Sequence, residues 1–324
     1  MSAWLWPLLA TILMQTSVSF LLRLVPTLAP VLTAQAGVTP AFVGHLSAVG
    51  TIGSMVFLLA GIPLIRRTGP IRALQVGALL AAAGIALIAV PFWPAIALGS
   101  FLIGVGYGPT APAGSDLVQR FAPRQHRALI FSVKQAGVPL GGVLAGLMLP
   151  PLAAVDWRVA IGVSAAIGLA SILLVQPLRE RMDTARDRTQ ALSLSTVLSP
   201  TNLLVPLTAM RLSPVLPPLT YVAFCFAVTQ GAVVAFFVTY LAVDLGTGLA
   251  AAGAAFAVMQ ATGIFGRVLL GWVADRLGSA VHTLRVLGIA SAATMTVVAL
   301  TTPGWPLWAL VALAGLAGIT VSSW

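Results

Sequence analysis

Gly61-Ile62-Pro63-Leu64-Ile65-Arg66-Arg67-Thr68-Gly69-Pro70-Ile71-Arg72 and Gly271-Trp272-Val273-Ala274-Asp275-Arg276-Leu277-Gly278 are two short, basic, glycine-bounded turns. In each, the chain leaves a long apolar stretch, crosses a few charged residues and enters another. Shifting the sequence by 210 positions superposes Gly61 on Gly271 and Gly53 on Gly263, so the recurrence reaches back into the preceding stretch. A helical bundle built twice is the reading this pattern supports.

The surrounding composition fixes the solvent. Hydrophobic residues make up 59% of the 324 positions and charged residues 7%, with a mean hydropathy of +1.03. A soluble domain carries about 25% charge, so this chain cannot clothe a watery surface. A membrane helix needs roughly 20 apolar residues. Such stretches fall at about 4–32, 41–65, 71–90, 95–118, 128–150, 157–177, 218–243, 248–273, 282–302 and 305–324. The fold class is therefore an all-α membrane protein with six spans and then four. No Lys or Arg precedes Trp4, and the first stretch outruns the 7–15 apolar residues of a signal peptide, so it reads as a retained span.

Arginines orient the spans. Arg66, Arg67 and Arg72 lie between spans two and three, and Arg120, Arg124 and Arg127 between four and five. Arg179, Arg181, Arg186, Arg188 and Arg211 lie between six and seven, and Arg276 and Arg285 between eight and nine. The alternate connections carry no Lys or Arg. The positive-inside bias makes the arginine-rich side, and the N-terminus with it, cytoplasmic. The arginine-rich, alanine- and glycine-loaded composition points to a bacterial inner membrane. This distribution also accounts for the net charge of +10 without nucleic acid as a partner. Residues 179–217, with a mixed-charge run and Ser and Pro clusters, read as a cytoplasmic linker between bundles at 1–178 and 218–324.

Chemistry of other kinds is missing. A lone Cys225 excludes an intrachain disulfide and thiolate clusters. Three His and no phosphate loop or H-E-x-x-H leave no enzyme constellation, metal site or cofactor to expect. The expected partners are a small-molecule solute and the lipid bilayer, with a monomer as the working unit.

At the two turns the chain resembles the Major Facilitator Superfamily, whose signature after the second span reads roughly G-x-x-x-D-R-x-G-R/K. The copy with Gly271, Asp275, Arg276 and Gly278 matches it well. The copy with Gly61, Arg66, Arg67, Gly69 and Arg72 has Ile65 where the family has Asp, and its Gly69 falls one residue late. Span four carries Gly104, Gly106, Gly108 and Pro109, similar to the family's glycine-rich fourth span. Span five carries Lys134-Gln135-Ala136-Gly137-Val138-Pro139-Leu140-Gly141-Gly142, similar to its Gly-Pro-x-x-Gly-Gly helix. These glycines and prolines are expected to pack helices closely. The resemblance implies a transporter of twelve spans, here halting after ten, in which two bundles rock about a midplane site.

Charge inside a span is the strongest pointer to such a site, since it costs about 2.5–3.5 kcal/mol on insertion scales. Arg23 lies deep in span one, where nitrate, cyanate and organic-anion carriers of the family often show an Arg followed by Pro, as in Arg23-Leu24-Val25-Pro26. Its guanidinium suits carboxylate or nitrate oxygens. Lys134 in span five is a second candidate, either at the site or snorkelling to the surface. Gln135, Gln15, Gln230 and Tyr107 are candidate hydrogen-bonding partners. Arg267 reads as packing and gating, and Asp116 with Arg120 at i+4 as a gate ion pair. No Asp or Glu lies deep in a span, which favours an anionic or neutral solute over a cation. The competing expectations are drug or metabolite efflux, and a truncated remnant that transports nothing.

Overall fold

A computed structural model describes residues 4–39, 41–190, 204, 208, 210–277 and 280–323. Among them the secondary structure is helical throughout: α1 (Leu5–Thr27), α2 (Ala29–Ala36), α3 (Phe42–Ala60), α4 (Ile62–Thr68), α5 (Pro70–Ile88), α6 (Trp93–Tyr107), α7 (Thr110–Phe121), α8 (Arg127–Gln135), α9 (Gly137–Val155), α10 (Trp157–Val175), α11 (Leu216–Thr239), α12 (Leu249–Leu277), α13 (Ala280–Ala299) and α14 (Leu307–Val321). Eight described helices are long and apolar enough to cross a membrane, and Leu307–Val321 is a shorter apolar one. Four of the sequence's stretches contain breaks. Leu28 parts α1 from α2, Gly61 parts α3 from α4, Gly108-Pro109 parts α6 from α7, and Ala136 parts α8 from α9.

In the first half α1 packs against α9 and α10, α5 against α6 and α10, and α3 against α6. Glycine sets these distances. A Cβ on Gly104 would run into the Gly50 carbonyl, and one on Gly106 into the Gly77 carbonyl. Gly108 lies against the Phe57 ring, Gly137 beside Thr16 and Gly141 beside the Phe20 amide. In the second half α12 and α14 repeat the α3–α6 pairing, with Gly318 against the Met259 carbonyl. The halves meet along α9 and α12, where Gly142 faces Gln260 and Gly146 faces Gly253. They meet again where α11 crosses α3 and Gly44 receives the Phe236 ring at 2.7 Å from its would-be Cβ.

Burial is unequal between the halves. The first span buries 72% of its apolar window, while the span Leu216–Asp244 buries 28%. Pro70–Ile88 buries 61% and Val281–Ala299 22%. In the first half α9 and α10 supply that cover. No described helix covers the corresponding faces of α11 and α13.

The segment expected to be a linker begins as ordered chain. Arg179–Met182 forms one helical turn, and Asp183, 2% exposed, accepts hydrogen bonds from the Ile71 amide (2.8 Å) and the Arg72 amide (3.1 Å). It thereby satisfies the free N–H groups opening α5. Gly69, at φ 91°, precedes that helix, and a side chain there would strike Asp183. Further on, the Asp187 amide donates to the Arg66 carbonyl (2.8 Å) and Arg67 to the Gln190 carbonyl (3.1 Å). Burial pushes the Asp183 carboxyl above the usual carboxylate range, against the pull of its two amide donors and of Arg179 and Arg186.

Candidate functional site

A cavity of about 270 Å³ lies between α1, α3, α6 and α11. Arg23, Tyr107, Ser47, Thr51, Ser54 and Ser100 supply its polar lining, and Leu22, Val25, Pro26, Ile103 and Val234 part of its apolar wall. Three hydroxyls are already committed as donors: Thr51 to the Ser47 carbonyl (2.9 Å), Ser54 to the Gly104 carbonyl (2.9 Å) and Ser100 to the Ile96 carbonyl (2.9 Å). The donors left over are different. Arg23 makes no hydrogen bond or ion pair to any described residue, and its Nε is buried without a partner. The Tyr107 and Ser47 hydroxyls likewise bond to no described residue. Arg23 lies within electrostatic reach of Tyr107 and Arg267. Surplus donors and surplus positive charge facing one space call for a ligand rich in acceptors.

The other candidate residues form a second cluster. Lys134 is 1% exposed, so it does not snorkel. Its Nζ donates to Gln135 Oε1 (3.2 Å) and to the Ala111 carbonyl (3.5 Å), and stands 5.7 Å from the Phe131 ring centroid. Gln15 Nε2 donates to the same Gln135 Oε1 (3.3 Å). Arg267 joins them from the other half, donating to the Gln135 backbone carbonyl (3.3 Å) and to the Ser322 carbonyl (3.5 Å). The local sequence explains the first of these bonds. In a helix the Gln135 carbonyl would accept from the amide of residue 139, but Pro139 has none. The freed acceptor becomes a tie between the halves.

The remaining expectations divide. Gln230 turns from the cavity and donates to the Val321 carbonyl (3.4 Å). Asp116 and Arg120 form the expected i,i+4 pair at 2.7 Å. Gly61 is the hinge between α3 and α4, Arg66 lies in the last turn of α4, and Arg72 donates to Gln75 Oε1 (3.2 Å). Arg276 lies in the last turn of α12. The Gly271 and Asp275 side-chain positions and Gly278 lie outside the described residues. Nothing in the sequence singles out Asp183, yet it brings to the first turn the carboxylate that Ile65 cannot, from 118 positions along the chain. Its sequence signal is only the mixed-charge run in which it sits.

Two helical halves meet around a mostly apolar cavity with a few polar groups, in a bundle of membrane-length helices. The family model of the Major Facilitator Superfamily matches residues 8–324, and the chain belongs to that superfamily. An "Uncharacterized MFS-type transporter" of Mycobacterium tuberculosis (strain H37Rv) is 29% identical over 301 residues, 91% of this chain and 64% of the relative. The chain thus spans less than two thirds of the length of that curated relative. The "Probable anion transporter 5, chloroplastic" of Oryza sativa subsp. japonica is 32% identical over 114 residues, 34% of this chain and 24% of the relative. Among solved structures, a bacterial homolog of the human lysosomal transporter Spinster in an inward-facing, unoccupied conformation aligns with TM-score 0.72 at 18% identity. That alignment covers 98% of this chain and 73% of the other. The D-xylose–proton symporter aligns at TM-score 0.65 and 15% identity, over 98% and 80% of the chains.

Proposed function

We propose that the protein carries a small anion across the bacterial inner membrane, its two bundles rocking about the Arg23 cavity. The observation that carries this reading is the Arg23 guanidinium, which lines the cavity without a protein acceptor. An incoming carboxylate or nitrate supplies the missing acceptors, through charge-assisted hydrogen bonds worth about 1.5–3 kcal/mol each. Tyr107 adds a neutral donor and can tell an oxyanion from a spherical halide by direction. The absence of any carboxylate from the described cavity lining argues in the same direction, as does the sequence likeness to a plant protein named for anion transport.

Size suits a small solute and lies at the lower edge of the range for drugs. Pockets for drug-sized ligands run from about 300 to 1,000 Å³, and this one is about 270 Å³. That volume has room for an anion of a few heavy atoms with some hydration. The working unit is a monomer with its N-terminus in the cytoplasm, as the arginine distribution has it.

A panel of small salts tests the reading. Thermal unfolding of the purified protein should shift upward with nitrate or a short-chain carboxylate, and the shift should vanish in Arg23→Ala. An equal shift in that variant would remove Arg23 from the site.

A further inference from the structure

Lys134 is the only lysine in the chain, and the cavity that holds Arg23 leaves it without a task. Its surroundings are built to hold it. A Cβ on Gly114 would fall 2.7 Å from Lys134 Cε and 3.2 Å from Nζ, so that glycine makes the slot in α7 through which the side chain passes. Both acceptors of the ammonium, Gln135 Oε1 and the Ala111 carbonyl, are neutral.

The charged groups around it do not neutralise it. From α12 comes Arg267, one residue away through the Gln135 carbonyl. On α7 the nearest ionisable groups are Asp116 and Arg120, already paired with each other at 2.7 Å. On its own helix stands Arg127, and α1 offers Gln15 and, two turns on, Arg23. No described carboxylate lies within ion-pair distance of Lys134. Arg23, Lys134 and Arg267 are thus three interior cations, and an unpaired buried charge is costly. A guanidinium stays charged under all physiological conditions, whereas an ammonium can give up its proton. Of the three, Lys134 alone can relieve that cost.

We propose that Lys134 is the proton-binding group of the transport cycle, so that the ion coupled to solute movement is H⁺. The exchange is simple. The Nζ lone pair takes a proton from hydronium, an N–H bond forms and water is left; in the reverse step the N–H bond breaks and water receives the proton. What accompanies the proton rests on the anion reading above. An anion beside Arg23, which lies within electrostatic reach of Arg267, favours the charged form of Lys134, and by linkage the charged form favours anion binding in equal measure. Anion and proton then move together. The route from Lys134 to the bundle contact is short. Its ammonium orients the Gln135 carboxamide that Gln15 shares, and the carbonyl of that same residue holds Arg267 from the other half.

A single lysine makes the test direct. The unmutated 324-residue chain, made with lysine 15N-labelled at Nζ, gives one side-chain resonance, whose shift separates ammonium from amine. Between about pH 5 and pH 9, below the ordinary lysine value of about 10.4, the resonance should move from the ammonium to the amine position. Nitrate should raise the ammonium fraction at fixed pH. A resonance that stays at one position throughout overturns the proton site and leaves the anion reading standing. A resonance that titrates but ignores nitrate overturns the coupling. Titration combined with an Arg23→Ala protein that still responds to nitrate keeps the proton site and removes Arg23 as the clamp.

Discussion

Arg23 and Gly104 show how differently a single residue can announce itself. Arg23 was conspicuous in the sequence because an arginine deep in an apolar stretch has few explanations, and it does line the cavity. Gly104 was legible only as one of a run of glycines. Its partner, the Gly50 carbonyl, becomes visible only when α3 and α6 are packed. Backbone on one side leaves nothing flexible to move aside. Gly104→Ala should therefore destabilise the protein by about 1–3 kcal/mol or more, read as a lower midpoint of thermal unfolding. A midpoint unchanged from wild type would mean that the α3–α6 approach is looser than described. The Lys134 cluster was legible one member at a time. Lys134, Gln135 and Gln15 were each candidates, but hydrogen bonds between residues up to 120 positions apart leave no trace in a single sequence.

At the scale of elements, apolar length and arginine placement revealed the helices but not their breaks. Leu28, Gly61 and Ala136 interrupt stretches that read as continuous, since hydropathy does not sense the backbone. The prolines were visible, yet what Pro139 releases, the Gln135 carbonyl, acquires meaning only from Arg267 on α12. The capping of α5 by Asp183 was hidden for the same reason: the acid lies in a polar run that reads as linker, more than 110 residues from the amides it binds. Removing it has a calculable effect. Asp183→Ala leaves two N–H groups at the start of α5 without their acceptor, which should cost about 1 kcal/mol, within the range measured for lost helix caps. Asp183→Asn, which keeps an acceptor, should lose less. Chemical or thermal unfolding of the two variants distinguishes them, and equal stability of both with wild type would deny the cap.

For the whole molecule, duplication and one-sided charge carried the reading furthest. The repeated turn anticipated the α3–α6 and α12–α14 pairs, and Gly53 and Gly263 both sit at close approaches in them. The halves nonetheless differ in cover, with α11 and α13 far more exposed than α1 and α5. They also differ in chemistry. The first half supplies Arg23, Tyr107, Lys134, Gln135 and Gln15, while the second supplies Arg267 and the α11 wall, so the proposed anion site is built mainly from the first half. The proposed anion-carrier role requires that Arg23 act while the solute crosses. The decisive measurement is uptake, into proteoliposomes, of the anion that most stabilises the protein. Wild type should accumulate it, Arg23→Ala should lose about tenfold or more of the rate, as the loss of one strong charge-assisted bond implies, and Arg23→Lys should fall between, with equal amounts of each protein in the membrane. Uptake by Arg23→Ala as fast as by wild type would contradict the anion clamp.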